Sequence, residues 1–158
     1  MEGGCNCGAV RYRLLAPPMF THCCHCTWCQ RETGSAFALN AMIERDRLDV
    51  TGAVVMERLP SASGKGQAVA RCPHCRVIVC SHYAGAGPLV AFVRVGTLDR
   101  PGDCPPDVQV FTDSRVPWVT LDPAVPAFAG YYSLREVWPA EAQVRREAMK
   151  ARAAASGG

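Results

Sequence analysis

Seven of the ten cysteines in this 158-residue chain fall into three short, regularly spaced groups: Cys5-Asn6-Cys7, Cys24-His25-Cys26-Thr27-Trp28-Cys29 and Cys72-Pro73-His74-Cys75. The Cys72-x-x-Cys75 spacing is the one at which a tight turn presents two thiolates to a single ion. In an extended strand residues i and i+2 point to the same side, so Cys5 and Cys7 are expected to offer both sulfurs together from a strand. Two such pairs make a closed tetrahedral shell of four sulfurs, Cys5, Cys7, Cys72 and Cys75, and closure leaves no position for chemistry. The reading is a structural zinc that ties distant segments together. A thioredoxin-like redox pair is the alternative for Cys72 and Cys75. It requires a helix starting at the first cysteine, whereas strand-like Val77-Ile78-Val79 follows here. A disulfide framework requires an oxidising compartment.

Cys24, Cys26 and Cys29 supply three converging thiolates, with no obvious fourth cysteine to complete the set. Three protein ligands with one vacancy is the pattern of a catalytic zinc. With three thiolates bound, the ion is a weak Lewis acid, and a soft thiolate suits its open position better than an activated water does. The alternative is that His22, His25, Cys23, Cys80 or Cys104 closes the shell. Of the remaining candidates, Cys80 reads as a buried small hydrophobe and Cys104, in a Pro-rich loop, as an exposed thiol. Cys23 reads as a spare beside the ligands, His74 as pointing out of its turn, and His82 as a core or surface histidine. Trp118 and Trp138 read as core.

The rest of the chain supports one mainly β domain with a C-terminal helix. Val10–Leu14, Ala36–Ile43, Val54–Leu59, Gln67–Arg71, Val77–Tyr83, Leu89–Val95, Val108–Phe111 and Val116–Leu121 read as strands. Asp49–Gly52 reads as a turn, and Ser61–Gly66 as a hairpin loop that lacks the glycine and Ser/Thr spacing of a phosphate-binding loop. Pro139–Ala155 reads as a helix, with Pro and Glu early and Arg and Lys late. Residues 156–158 read as a frayed tail. The division is 1–138 for a zinc-binding β domain and 139–158 for the helix and tail. No apolar stretch is long enough to span a bilayer, and no basic and apolar leader opens the chain, so a cytoplasmic, reducing location is expected. The formal charge is +3 from 17 Lys+Arg against 14 Asp+Glu. Seven thiolates on two zinc dications would cancel that surplus, so nucleic-acid binding by charge is not expected.

Cys5-x-Cys7-Gly8-x-Val10-x-Tyr12, Cys24-His-Cys26-x-x-Cys29-Gln-Arg31 with Gly34-Ser-Ala-Phe37, and Cys72-Pro-x-Cys75 together resemble the glutathione-dependent formaldehyde-activating (GFA) family, which is also called the centromere protein V/GFA domain family. Val93-x-Val95-Gly96-Thr-Leu98-Asp99 and Ser114-Arg-x-x-Trp118 resemble its second half, and the resemblance covers roughly residues 3–128. It implies a zinc-bound β-tent fold of antiparallel sheets and two zinc ions per chain. The structural one falls on Cys5, Cys7, Cys72 and Cys75, and the catalytic one on Cys24, Cys26 and Cys29. It further implies carbon–sulfur lyase chemistry, in which glutathione and formaldehyde condense to S-hydroxymethylglutathione. The partner would be a small thiol such as glutathione, with no nucleic acid and no membrane, and the oligomeric state stays open. Other readings are a non-catalytic binding module, as centromere protein V suggests, and a thiol or metal sensor built on the extra cysteines. The chain departs from the family pattern at Arg76, where a glycine commonly follows the second cysteine pair. Arg31 is the cation nearest the second cluster in sequence, with Arg45, Arg47 and Arg115 as remoter candidates for meeting an anionic thiol.

Overall fold

The computed structural model describes residues 1–156. Of the expected tail, Gly157 and Gly158 lie outside the described residues. Ten strands form two sheets. β1 (Glu2–Gly4), β2 (Arg11–Leu14) and β5 (Leu48–Thr51) make a small antiparallel sheet. The larger sheet has the order β10-β3-β4-β9-β8-β7-β6, from β3 (Phe20–Cys24), β4 (Ala38–Glu44), β6 (Val55–Leu59), β7 (Gln67–Arg71), β8 (Ile78–Tyr83), β9 (Val90–Arg94) and β10 (Val108–Val110). Every pair is antiparallel except β10 with β3, which run parallel. The helices are α1 (Thr27–Thr33), the single turn α2 (Leu134–Val137) and α3 (Ala140–Ser156). The architecture is mainly β with a C-terminal helix, as the sequence suggests.

The two-residue period of the central strands divides the core. Ala41 and Ile43 of β4, with Ala91 and Val93 of β9, face a cluster completed by Val10, Tyr12, Leu14 and Leu48 from the small sheet. Ala38 and Met42, with Val90 and Phe92, face the opposite way, toward Phe20, Val108, Val110, Tyr132, Trp138, Ala142 and Met149. Because both faces are covered, these strands read as near-continuous apolar runs. α3 lies over the second cluster through Ala142 and Met149. Its Arg145 donates to both carboxylate oxygens of the buried Glu44, at 3.1 and 2.6 Å.

Several local expectations change. Asp49–Gly52 is not simply a turn: Leu48 and Val50 pair with Leu14 and Tyr12 to extend the small sheet, and the chain turns only at Gly52, φ +87. Val116–Leu121 forms no ladder. Pro117 within it cannot donate to one, and Trp118 is 75% exposed rather than core. Cys104 is buried, not exposed, because its loop folds inward and sets the sulfur 3.4 Å from Thr21 Oγ1. Trp138 is buried as expected and donates from Nε1 to the Tyr132 hydroxyl at 2.7 Å.

Candidate metal centres and the adjoining cleft

Cys5 and Cys7 lie not in a strand but in a turn that leaves β1. Gly8 N donates to Cys5 O at 3.1 Å, Cys5 N to Val10 O at 3.0 Å, and Gly8 takes φ +76. Cys72 and Cys75 repeat this device after β7. Arg76 N donates to Cys72 O at 3.1 Å, Cys72 N to Val77 O at 3.0 Å, and Arg76 takes φ +64. In both turns the residue after the second cysteine is left-handed, and that conformation brings the two sulfurs of the turn to one side. The two turns face each other. Cys7 Sγ lies 3.5 Å from Cys5 Sγ and 3.7 Å from Cys72 Sγ, and all four sulfurs lie within 4.8 Å of one another. Zinc–sulfur bonds of about 2.3 Å place tetrahedral sulfurs about 3.8 Å apart, so the four donors fit a zinc shell, and they are too far apart for disulfides. Backbone N–H groups of Val77 and Cys7 stabilise the Cys75 thiolate and lower its pKa to about 6, which suits a ligand that must ionise to bind.

The second cluster is built where β3 runs into α1. Cys24 ends the strand, Cys26 is the N-cap of the helix, and Cys29 lies in its first turn and donates from its backbone N to Cys26 Sγ at 3.4 Å. A sulfur thus does here what a Ser or Asp oxygen usually does. Gln30 Nε2 donates to His25 O at 2.7 Å and to Ser114 O at 2.8 Å, and Ser114 Oγ donates to His25 O at 3.1 Å. These bonds fix the bend between strand and helix. The three sulfurs lie within 4.8 Å of one another, and among the described residues no fourth His, Cys, Asp or Glu donor joins them. Strand alternation turns Cys23 to the other face of the sheet from Cys24, toward His25 Nε2 at 3.5 Å. His25 also pairs with Gln109 Oε1 at 3.1 Å, and His22 pairs with the Tyr132 hydroxyl at 2.5 Å. Cys80 belongs to the core, and the His82 ring bonds Val90 O at 3.0 Å. Hydrogen bonds from Cys24 and Cys29 pull the Cys26 thiol far down, and contacts with Cys26 and Cys29 push Cys24 up. Burial lowers His22 to about 4, so it is neutral near neutral pH.

The three cysteines open onto a cleft of about 490 Å³. Its walls are largely apolar, from Trp28, Met42, Tyr83, Phe92, Phe111 and Tyr131, and the Ser61–Gly66 loop forms part of its rim. Behind Cys29 is a polar network that sequence reasoning missed. Arg94 Nη2 pairs with Glu32 Oε2 at 2.9 Å, Arg94 Nη1 bonds Asn40 Oδ1, and Gln67 Nε2 donates to Glu32 Oε1 at 3.2 Å. Burial works against the Arg94 charge, but neighbouring Tyr83, Glu32 and Cys29 outweigh it, so the guanidinium keeps its proton. An arginine inside the apolar run Val90–Val95 was the available signal. Arg31, Arg45, Arg47 and Arg115 do not line the cleft; Lys65 and Arg146 do.

Residues 1–114 match the family described as glutathione-dependent formaldehyde-activating enzyme. A protein of Halomonas elongata named "Putative glutathione-dependent formaldehyde-activating enzyme" is 26% identical over 141 residues, covering 83% of this chain and 88% of that protein. A solved structure of a Rhodobacter sphaeroides protein superposes with a TM-score of 0.49 at 21% identity, covering 81% of this chain and 100% of that one. With all three cysteine groups inside the matched residues, the chain belongs to the glutathione-dependent formaldehyde-activating enzyme family.

Proposed function

We propose that this chain is a zinc enzyme of thiol–aldehyde chemistry, a carbon–sulfur lyase that joins a small thiol such as glutathione to an aldehyde such as formaldehyde. Cys5, Cys7, Cys72 and Cys75 would hold a structural zinc, and Cys24, Cys26 and Cys29 a second zinc at the reaction site. The observation that carries this reading is that one cluster has four sulfurs and the other has three that open onto a cleft. A zinc ion held by three thiolates supplies a soft acceptor at which a thiol binds in its ionised form.

The chain's own residues shape what happens around that sulfur. Cys24, Cys26 and Cys29 are held by the β3–α1 bend, so the entering sulfur would have a fixed place in the cleft that Trp28 and Phe111 help to line. The apolar walls reduce hydration around the attacking sulfur, and neutral His22 adds no charge to the cleft that Cys24 also lines. The sulfur lone pair forms the new bond to the aldehyde carbon, the carbonyl π pair moves to oxygen, and that oxygen takes a proton from solvent, balancing the one the thiol released on ionising. The reverse reaction returns thiol and aldehyde. We further propose that the chain works in the cytoplasm, where reducing conditions keep its seven ligand thiols available. Among the described residues no helix is long and apolar enough to cross a membrane.

Calorimetry of the zinc-loaded protein with glutathione and S-methylglutathione tests the site. Glutathione should bind with release of a proton, visible as a heat that changes with the buffer's ionisation enthalpy, and S-methylglutathione should bind far more weakly. Equal affinities would show that no sulfur–metal bond forms.

A further inference from the structure

The charged groups of the cleft have one sign. Among the described residues that line it there is no Asp or Glu, and the two charged side chains are Lys65, from the loop between β6 and β7, and Arg146, from α3. The other polar groups are largely engaged. Asn40 bonds Arg94, and the Ser61 hydroxyl bonds Ser63 Oγ at 3.0 Å and accepts from Gly66 N at 3.1 Å, which sets the loop that carries Lys65. No acid pairs with the Lys65 ammonium among the described residues. Arg146 meets Glu147 Oε1 at 3.2 Å, but that same oxygen accepts from Lys150 Nζ at 2.9 Å, so one carboxylate serves two cations. The neighbouring arginines of α3 are spent elsewhere, Arg145 on Glu44 and Arg152 on Asp46. Successive helix positions are turned by about 100°, and this separates Arg146, at the cleft, from Arg145, at the sheet.

We propose that Arg146 and Lys65 are specificity-determining residues that select a thiol bearing a carboxylate, with Arg146 as the principal counter-charge. This rests on the reading that a thiol sulfur enters at Cys24, Cys26 and Cys29. A guanidinium offers a planar fork that matches a carboxylate, in a cleft whose apolar walls strengthen the contact. A neutral thiol would leave Lys65 without an acid and Arg146 with only the carboxylate it shares with Lys150. α3 lies beyond residue 114, where the family match ends, so the principal counter-charge comes from a segment outside the matched region.

Glutathione and glutathione diethyl ester share the thiol and the peptide body and differ in their two carboxylates. Titrated into the native zinc-loaded protein, glutathione should bind more tightly than the diester. Arg146→Gln should lower glutathione affinity about tenfold and leave the diester nearly unchanged. Lys65→Gln should act in the same direction and less strongly, because that side chain is exposed. Retained diester binding shows that the variant is folded and that the sulfur position is intact. If the native protein binds both compounds equally and Arg146→Gln changes neither, this inference fails while the thiol site stands; the same holds if both weaken together. If neither compound binds the native protein, the thiol reading fails and takes this inference with it.

Discussion

Arg76 holds a left-handed backbone in the position that Gly8 occupies in the facing turn. The geometry that glycine eases elsewhere is therefore kept, and an arginine bears its cost of roughly 1–2 kcal/mol. Its surroundings hold it there. Arg71 Nη1 donates to Arg76 O at 2.7 Å, and both guanidiniums reach Glu57, Arg71 at 3.0 Å. The Arg76–Glu57 pair is largely exposed and contributes little. Glutamate 57 keeps Arg71 if Arg76 is removed. Arg76→Gly should therefore relieve strain, offset in part by glycine's greater freedom in the unfolded chain, and raise stability by up to about 1 kcal/mol. Thermal unfolding at fixed zinc measures this. Destabilisation by more than about 1 kcal/mol would mean that the Glu57 pair, not the backbone angle, decides this position.

Among the elements, β2 and α3 follow from sequence because their patterns have one dominant cause, a two-residue alternation of exposed arginine and buried Tyr12 and Leu14 in the first and terminal charge bias in the second. β3 gives no such pattern. All five of its residues are buried, so Phe20-Thr21-His22-Cys23-Cys24 alternates in neither polarity nor exposure. α1 escapes notice because its cap is a thiol and only Cys29 of its seven residues is buried. The cysteine spacing survives both omissions, since ligand geometry is local to each turn. The cleft's cations do not follow from spacing, because α3 is placed by packing and by Arg145. Burial works to raise the Glu44 carboxyl, and hydrogen bonds from Arg145 outweigh it, so the group stays below its ordinary range. A depressed carboxyl stabilises the fold fully above its unfolded value, near about 4.3, and loses that contribution as pH falls through and below it. Arg145→Met should cost about 3 kcal/mol at pH 7, because it strips the main partner from a buried charge. The deficit relative to the native protein should shrink at about pH 4, where Glu44 can protonate. Denaturant unfolding at the two pH values checks this, and a deficit that does not vary with pH would place the loss in packing.

For the molecule as a whole, the proposed function gives the two clusters different duties. The four-sulfur cluster joins the turn after β1 to the turn after β7 and lies against the core through Cys5 and fully buried Cys72. Zinc bound to a site absent in the unfolded chain contributes folding free energy, on the order of 10 kcal/mol for structural sites. Cys72→Ser should therefore lose the cooperative fold, as judged by circular dichroism and melting. The three-sulfur cluster lies at a cleft, within a bend already fixed by Gln30 and Ser114. Cys26→Ser should keep the fold and lose the metal at that cluster alone. Zinc per chain, measured by elemental analysis after exhaustive dialysis from zinc-replete, reducing buffer, tests this division most directly. The account predicts two in the native protein and one in folded Cys26→Ser; one in the native protein, or two retained in Cys26→Ser, would contradict it.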